Sequence, residues 1–437
     1  MVPGRVDVIT MGCSKNLVDS QKLMARLRAK GYEMHHDSRD VCGEIAVVNT
    51  CGFIGDAKEE SIEMILSLVQ AKQEGRVGSV YVMGCLSERY RAELTEELPE
   101  VDGIYGKFDW DGLIEILPSR ESSPKAVQDW NRMLTGNSYS AYVKISEGCN
   151  RFCAYCAIPL ITGRHISRTI EDILEEVAQL SEAGVREFNV IAQDLSAYGT
   201  DLYGRSALAE LIDRMADIEG VEWIRLHYAY PVDFPYDVLE VMKRRENVCN
   251  YLDIALQHIS DKVLANMRRH IDKQSTLKLL RRIRQEVPGI RIRTTLMTGF
   301  PGEGEEEFEE LLQFVKEAKF DRLGAFAYSE EEGTYGAKHF SDDIPQEVKD
   351  QRRDKILALQ QEISSELNER LVGETVKVLI DRVEDDMMIG RTQWDSPDVD
   401  NEVIVHFVGD SAPVLPGQFV DVRITEAFDY DLVGEII

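Results

Sequence analysis

Three short apolar runs in the first hundred residues each break off at a cysteine with a glycine beside it. Val6-Asp7-Val8-Ile9-Thr10 runs into Met11-Gly12-Cys13, Ile45-Ala46-Val47-Val48-Asn49 into Thr50-Cys51-Gly52, and Val80-Tyr81-Val82-Met83 into Gly84-Cys85. Stretches of helical period lie between and after them, at 17–30, 56–73 and 87–98, with Gly31 and Gly75 marking helix ends. Strand-length runs alternating with helices of this length predict βαβ units and a parallel sheet. In such a sheet ligands bind beyond the carboxyl ends of the strands, so the three thiols are expected along one edge. A lone Cys after a strand is usually a small buried apolar residue. Three in register, spaced by roughly one βα unit, predict a shared metal site at Cys13, Cys51 and Cys85. The adjacent glycines admit a bulky inorganic ligand.

A second group of thiols is tighter. Glu147-Gly148-Cys149-Asn150-Arg151-Phe152-Cys153-Ala154-Tyr155-Cys156 places three Cys in one loop with no fourth close behind. A 4Fe-4S cube normally takes four Cys, so three leave one iron open to a ligand that is not protein. A zinc knuckle short of a ligand, or plain buried thiols, is the simpler alternative. A strand-like run at 139–145 leads into this loop, and others follow at 187–192, 223–228, 251–256, 291–297 and 322–328. Amphipathic stretches such as 170–183 and 275–287 separate them. Six such units predict an open, partial (β/α)6 barrel of TIM-like kind, with its chemistry on the loops after the strands. Gln193-Asp194 is read as a mouth or capping pair, Gln257-His258 as structural, and the turn at 298–303 as a place of close backbone approach. Cys42 and Cys249 fit neither thiol pattern and are read as ordinary thiols, and His35-His36 as surface.

Composition narrows the setting. No apolar signal-peptide core opens the chain and no apolar run approaches membrane-spanning length, so a soluble, cytoplasmic protein is expected. There, eight Cys point to metal ligands and buried thiols rather than structural disulfides. The formal charge of −28 repels nucleic-acid phosphates and favours basic partners. The Pro/Ser-rich break at 118–124 separates expected domains at 1–120, 135–370 and 371–437. After a charged helix at 346–371, short β-like runs at 375–380, 388–391, 403–407 and 419–425 predict a small all-β barrel. That last domain carries four Lys/Arg against fifteen Asp/Glu, a net of −11, which suits a basic protein surface better than RNA.

Taken together, these residues resemble the radical S-adenosylmethionine methylthiotransferases over essentially the whole chain. The six-Cys combination carries the resemblance, and the tail is similar to a TRAM domain. One branch of that family, typified by MiaB, modifies a tRNA adenosine and usually shows Gln-Met-Asn after its first Cys. The RimO branch modifies an aspartate of ribosomal protein S-twelve and usually shows Lys-Asn there. Cys13-Ser14-Lys15-Asn16 is similar to the RimO form, as are Arg225-Leu226-His227-Tyr228 and Ala255-Leu256-Gln257-His258-Ile259-Ser260. Ser14 stands where RimO proteins usually carry Pro, and Thr162 where they carry Arg before the Gly.

The resemblance implies S-adenosylmethionine and two 4Fe-4S clusters. Cys149, Cys153 and Cys156 would hold the one that cleaves S-adenosylmethionine, with Tyr155 contacting the adenine or simply packing. Cys13, Cys51 and Cys85 would hold the sulfur-bearing one. It further implies methylthiolation of an aspartate β-carbon, an electron donor such as a flavodoxin, and a basic ribosomal protein docked partly by the acidic tail. A tRNA methylthiotransferase and a zinc-containing RNA-binding protein without activity are the competing readings.

Overall fold

The computed structural model describes residues 1–121, 127–128, 131–384, 387–406 and 414–437. Its first unit is a parallel sheet of β1 (Val2–Thr10), β2 (Glu33–His36), β3 (Gly43–Thr50), β4 (Ser79–Gly84) and β5 (Gly103–Ile104), in the order β2-β1-β3-β4-β5. Parallel strands buried on both faces need nearly continuous apolar sequence, and Val6, Val8, Val47, Val48, Val80 and Val82 are all fully buried. One face packs on Leu23, Met24 and Leu27 of the helix Ser14–Ala29, the other on Ile65, Leu68 and Val69 of the helix Gly55–Gln73. β2 escapes the apolar pattern because it is a polar edge strand, and β5 because it is two residues long. His35 and His36 therefore lie in a strand and are half-buried, not surface residues, with His36 Nε2 2.8 Å from the Thr10 hydroxyl. The stretch expected as one helix at 87–98 is two, Cys85–Arg89 and Arg91–Glu97, broken at Tyr90.

The central unit starts with β6 (Ser140–Lys144) and a small ribbon of β7 (Ser146–Glu147) with β8 (Ile166–Ser167). β9 (Glu187–Ile191), β10 (Trp223–Ala229), β11 (Val248–Ile254), β12 (Arg291–Thr298) and β13 (Arg322–Ala327) follow. Six strands form one parallel sheet in the order β13-β12-β11-β10-β9-β6, which does not close. Val143, Val190, Ile224, Leu226, Ile254 and Ile292 bury under the helices. Residues 122–124 of the Pro/Ser-rich break lie outside the described residues.

After the helix Gln346–Glu369, β14 (Thr375–Glu384), β15 (Met387–Thr392), β16 (Glu402–His406), β17 (Phe419–Ala427) and β18 (Asp431–Ile436) close into a barrel. β16 ends at His406; Phe407, expected in the same strand, lies outside the described residues. This barrel seats against the starts of the central strands. Glu187, at the head of β9, takes two hydrogen bonds from Arg391 at 2.9 Å each and one from Arg225. Arg322 pairs with Asp395 at 2.5 Å and Arg293 with Asp400 at 3.3 Å. The barrel thus caps the end of the sheet opposite the Cys loops. No helix among the described residues is long and apolar enough to cross a membrane.

Candidate functional site

Cys13, Cys51 and Cys85 come together at the carboxyl edge of the first sheet. A Cβ built on Gly12 (φ +86°) would stand 2.7 Å from Cys51 Cβ and 2.8 Å from its Sγ. One on Gly52 would meet the Leu86 backbone at 2.6 Å. The glycines beside the thiols are therefore what let the three loops close on one another. Asn16 ties the edge together and was missed as a site residue, although the Lys15-Asn16 pair pointed to it. Its buried Nδ2 donates to the Met11 and Thr50 carbonyls at 3.0 Å each, and its Oδ1 lies 3.5 Å from Cys85 Sγ. Ser61, which carried no sequence signal, holds both backbone groups of Cys51 through its hydroxyl.

The second trio follows β6. Arg151, inside the Cys loop, pins it: its side chain pairs with Asp194 at 2.7 Å and Asp233 at 3.1 Å, and lies over Tyr230. Its backbone N–H donates to Cys149 Sγ at 3.5 Å. Asp194 also caps the short helical turn Leu195–Ala197, so both expected roles meet in one carboxylate. Arg269 is the residue sequence reasoning did not find. It is 2% exposed and donates to Cys153 Sγ at 3.5 Å, to the Tyr155 hydroxyl at 3.3 Å and to the Ala255 carbonyl, and its guanidinium lies 4.1 Å over the Tyr230 ring. Among the described residues it has no carboxylate partner. Tyr155 packs edge-on against Phe300 and so lines the Cys153 side of the loop. His258 is structural as expected, fully buried with Nδ1 accepting from the Ser260 N–H. The turn after β12 is held by Glu303, which accepts from the Gly299 N–H and pairs with Arg352.

The first trio lies against the central unit at the joint between them. Cys85 packs against Ala157 and Ile161, just beyond Cys156. Glu331, after β13, receives Lys58 at 2.8 Å and Arg89 at 2.9 Å from the first unit. A buried charge network crosses the same joint: Asp19 takes Lys107 at 2.7 Å and Lys144, and Lys144 also pairs with Glu147 at 2.7 Å. Burial alone would raise both carboxyls; the two ammoniums outweigh it and lower both.

The protonation of the thiols follows from their burial. Burial pushes Cys85 up to about 12 and Cys149 up to about 11, and raises Cys51 and Cys156 as well. Thiols so placed keep their protons at neutral pH until a metal displaces them. Among the described residues no three His, Cys, Asp or Glu close on a single point as ligands of one ion do. A cube instead takes one thiolate at each iron, and two separate all-thiol groups, each cradled by tight loops, fit that donor set. Cys42 and Cys249 stand apart, Cys249 packing among Tyr139, Trp223 and Tyr251.

Inside the open sheet the facing side chains are polar: Asn189, Arg225, His227, Asp253 and Arg293. Burial drives the His227 imidazole well below its usual value and lifts the Asp253 carboxyl to about 6. The lumen stays open toward the Cys loops, where Phe326 on β13 is 56% exposed.

Comparison with known proteins agrees with this architecture. Residues 143–315 match the Radical SAM superfamily, 5–106 the Uncharacterized protein family UPF0004, and 372–437 the TRAM domain. Ribosomal protein uS12 methylthiotransferase RimO of Porphyromonas gingivalis is 58% identical over 433 residues, 99% of each chain. The protein of the same description from Phocaeicola vulgatus is 57% identical over 432 residues, again 99% of each. Among solved structures, the radical S-adenosylmethionine methyltransferase TsrM from Kitasatospora setae, with cobalamin and a [4Fe-4S] cluster bound, shares the fold. Its TM-score is 0.58 at 13% identity, covering 77% of this chain and 74% of that one. The chain belongs to the RimO family of radical S-adenosylmethionine methylthiotransferases.

Proposed function

We propose that the protein methylthiolates the β-carbon of an aspartate in ribosomal protein uS12, with Cys149, Cys153 and Cys156 holding one 4Fe-4S cluster and Cys13, Cys51 and Cys85 a second. The observation that carries this reading is the meeting of two separate three-thiol groups at one joint, Cys85 packed beside the helix that follows Cys156. When bound, these groups with S-adenosylmethionine supply one-electron chemistry able to take hydrogen from an unactivated carbon, and a sulfur to put in its place. The chain's own part is to position and to shield. Arg151 fixes the Cys149 loop, Arg269 supplies a buried positive charge beside Cys153, and Tyr155 contacts the adenine. The first unit lies over the mouth of the lumen through its Glu331 contacts and keeps bulk water from the reacting groups.

Boundaries near 1–120, 135–370 and 371–437 divide these tasks. A flavodoxin-like donor supplies electrons, and the enzyme works in the cytoplasm, where its substrate is made. The C-terminal barrel docks the basic substrate in part. Asp381, Asp395 and Asp400 are engaged inward by arginines, so the docking acids are the exposed Glu374, Asp421 and Glu426, which form no ion pair among the described residues. The test is mass spectrometry of uS12 and of total tRNA from a strain lacking this gene. Loss of the methylthio group from uS12 alone is expected; loss from a tRNA adenosine with uS12 still modified would overturn the assignment.

A further inference from the structure

We propose that Lys15 receives the carboxylate of the aspartate being modified and so sets the side-chain specificity of the reaction, an inference that rests on the protein-substrate reading above. Lys15 lies two residues after Cys13, in the first turn of the helix Ser14–Ala29. Its ammonium stands 3.6 Å above the centre of the Tyr228 ring, bridging the first unit and the lumen of the central sheet. The other cations facing that lumen already have partners: Arg225 pairs with Glu187, Arg293 with Asp400 and Arg322 with Asp395. Lys15, half-buried, has no carboxylate within ion-pair distance among the described residues; its charge reaches the Asp253 carboxyl only at longer range, lowering it. A ring face holds a cation in place without neutralising it, so the site retains a charge that an incoming anion can satisfy.

Access and geometry support the same role. Tyr228 is 39% exposed and takes a left-handed backbone (φ +68°), a conformation rare for a bulky residue that concentrates at ligand sites. Cys13, two residues before Lys15 in the chain, is exposed. In aspartate the carboxylate is bonded directly to the β-carbon. An ammonium that grips the carboxylate therefore fixes the reacting carbon one bond away from it. Asparagine has the same shape without the charge, and glutamate moves the carboxylate one methylene further out.

The experiment is a titration of the anaerobically reconstituted full-length protein with a fluorescein-labelled basic uS12 peptide containing the target aspartate, and with its Asp-to-Asn counterpart. Wild type is expected to prefer the aspartate peptide by about tenfold or more. Lys15→Gln should bring the two affinities within about twofold of each other by weakening only the aspartate peptide, and Lys15→Arg should restore part of the preference. Equal binding of both peptides by wild type overturns the proposal and leaves the substrate reading standing. So does a Lys15→Gln variant that keeps the preference or weakens both peptides alike, which would assign Lys15 to packing between the units. Failure of wild type to bind either peptide removes both.

Discussion

Replacing Asp19 with Asn isolates the charge that ties the two Cys-bearing units together. The carboxylate sits on the helix after Cys13 and is shared by Lys107 and Lys144, both nearly inaccessible to water. Burial pushes the carboxyl up, and the two ammoniums more than offset it, bringing it from 3.8 down to about 2. A fall of nearly two units is worth roughly 2 kcal/mol of folded-state preference for the charged form. Removing one partner of a buried pair costs about 3–5 kcal/mol, because the other charge is left stranded. Here Glu147 still compensates part of the stranded charge, so we expect about 3 kcal/mol at pH 7. Since the folded pKa lies below the unfolded one, the stabilisation is complete above the unfolded value near pH 4 and is lost as pH falls through about 2. Urea unfolding of the apo-protein, followed by circular dichroism, should show a difference between variant and wild type that is flat down to about pH 5 and then shrinks. A loss below about 1 kcal/mol at pH 7, or one that does not shrink below about pH 4, would refute the reasoning.

Further outcomes follow from the same geometry. Gly12→Ala places a methyl against Cys51 in a left-handed backbone and should lower bound iron to about four per chain, read by iron analysis. Glu187→Gln strands the Arg225 guanidinium, while Arg391 keeps Asp381, and should cost about 3 kcal/mol. It should be seen as an earlier unfolding transition in the fluorescence of Trp223, which packs on Phe419 of the C-terminal barrel. Arg269→Met removes the buried cation beside Cys153 and should move the midpoint of that cluster to more negative potential in an EPR-monitored titration; an unmoved midpoint counts against an electrostatic role.

What the sequence disclosed about this protein followed local pattern. The strand ends carrying Cys13, Cys51 and Cys85 were legible because a parallel strand is an unbroken apolar run and the thiol interrupts it at a fixed place. The Cys149 loop was legible from spacing alone. β2, with Glu33 and two His, was not, because an edge strand need not be apolar. Arg269 was hidden for a different reason: it lies more than a hundred residues from Cys153, and nothing local distinguishes it from a surface arginine. The inward pairing of Asp381, Asp395 and Asp400 was equally invisible, since net charge counts acids without saying which are already engaged by Arg391, Arg322 and Arg293.

The central claim is that the two thiol groups hold separate clusters with separate tasks. It is tested most directly by iron content and S-adenosylmethionine cleavage measured side by side in Cys51→Ala and Cys153→Ala, reconstituted anaerobically. Wild type should hold about eight irons and each variant about four. Cys51→Ala should still form 5′-deoxyadenosine but transfer no methylthio group, and Cys153→Ala should form none. Methylthio transfer by Cys51→Ala, or 5′-deoxyadenosine formation by Cys153→Ala, would contradict the account.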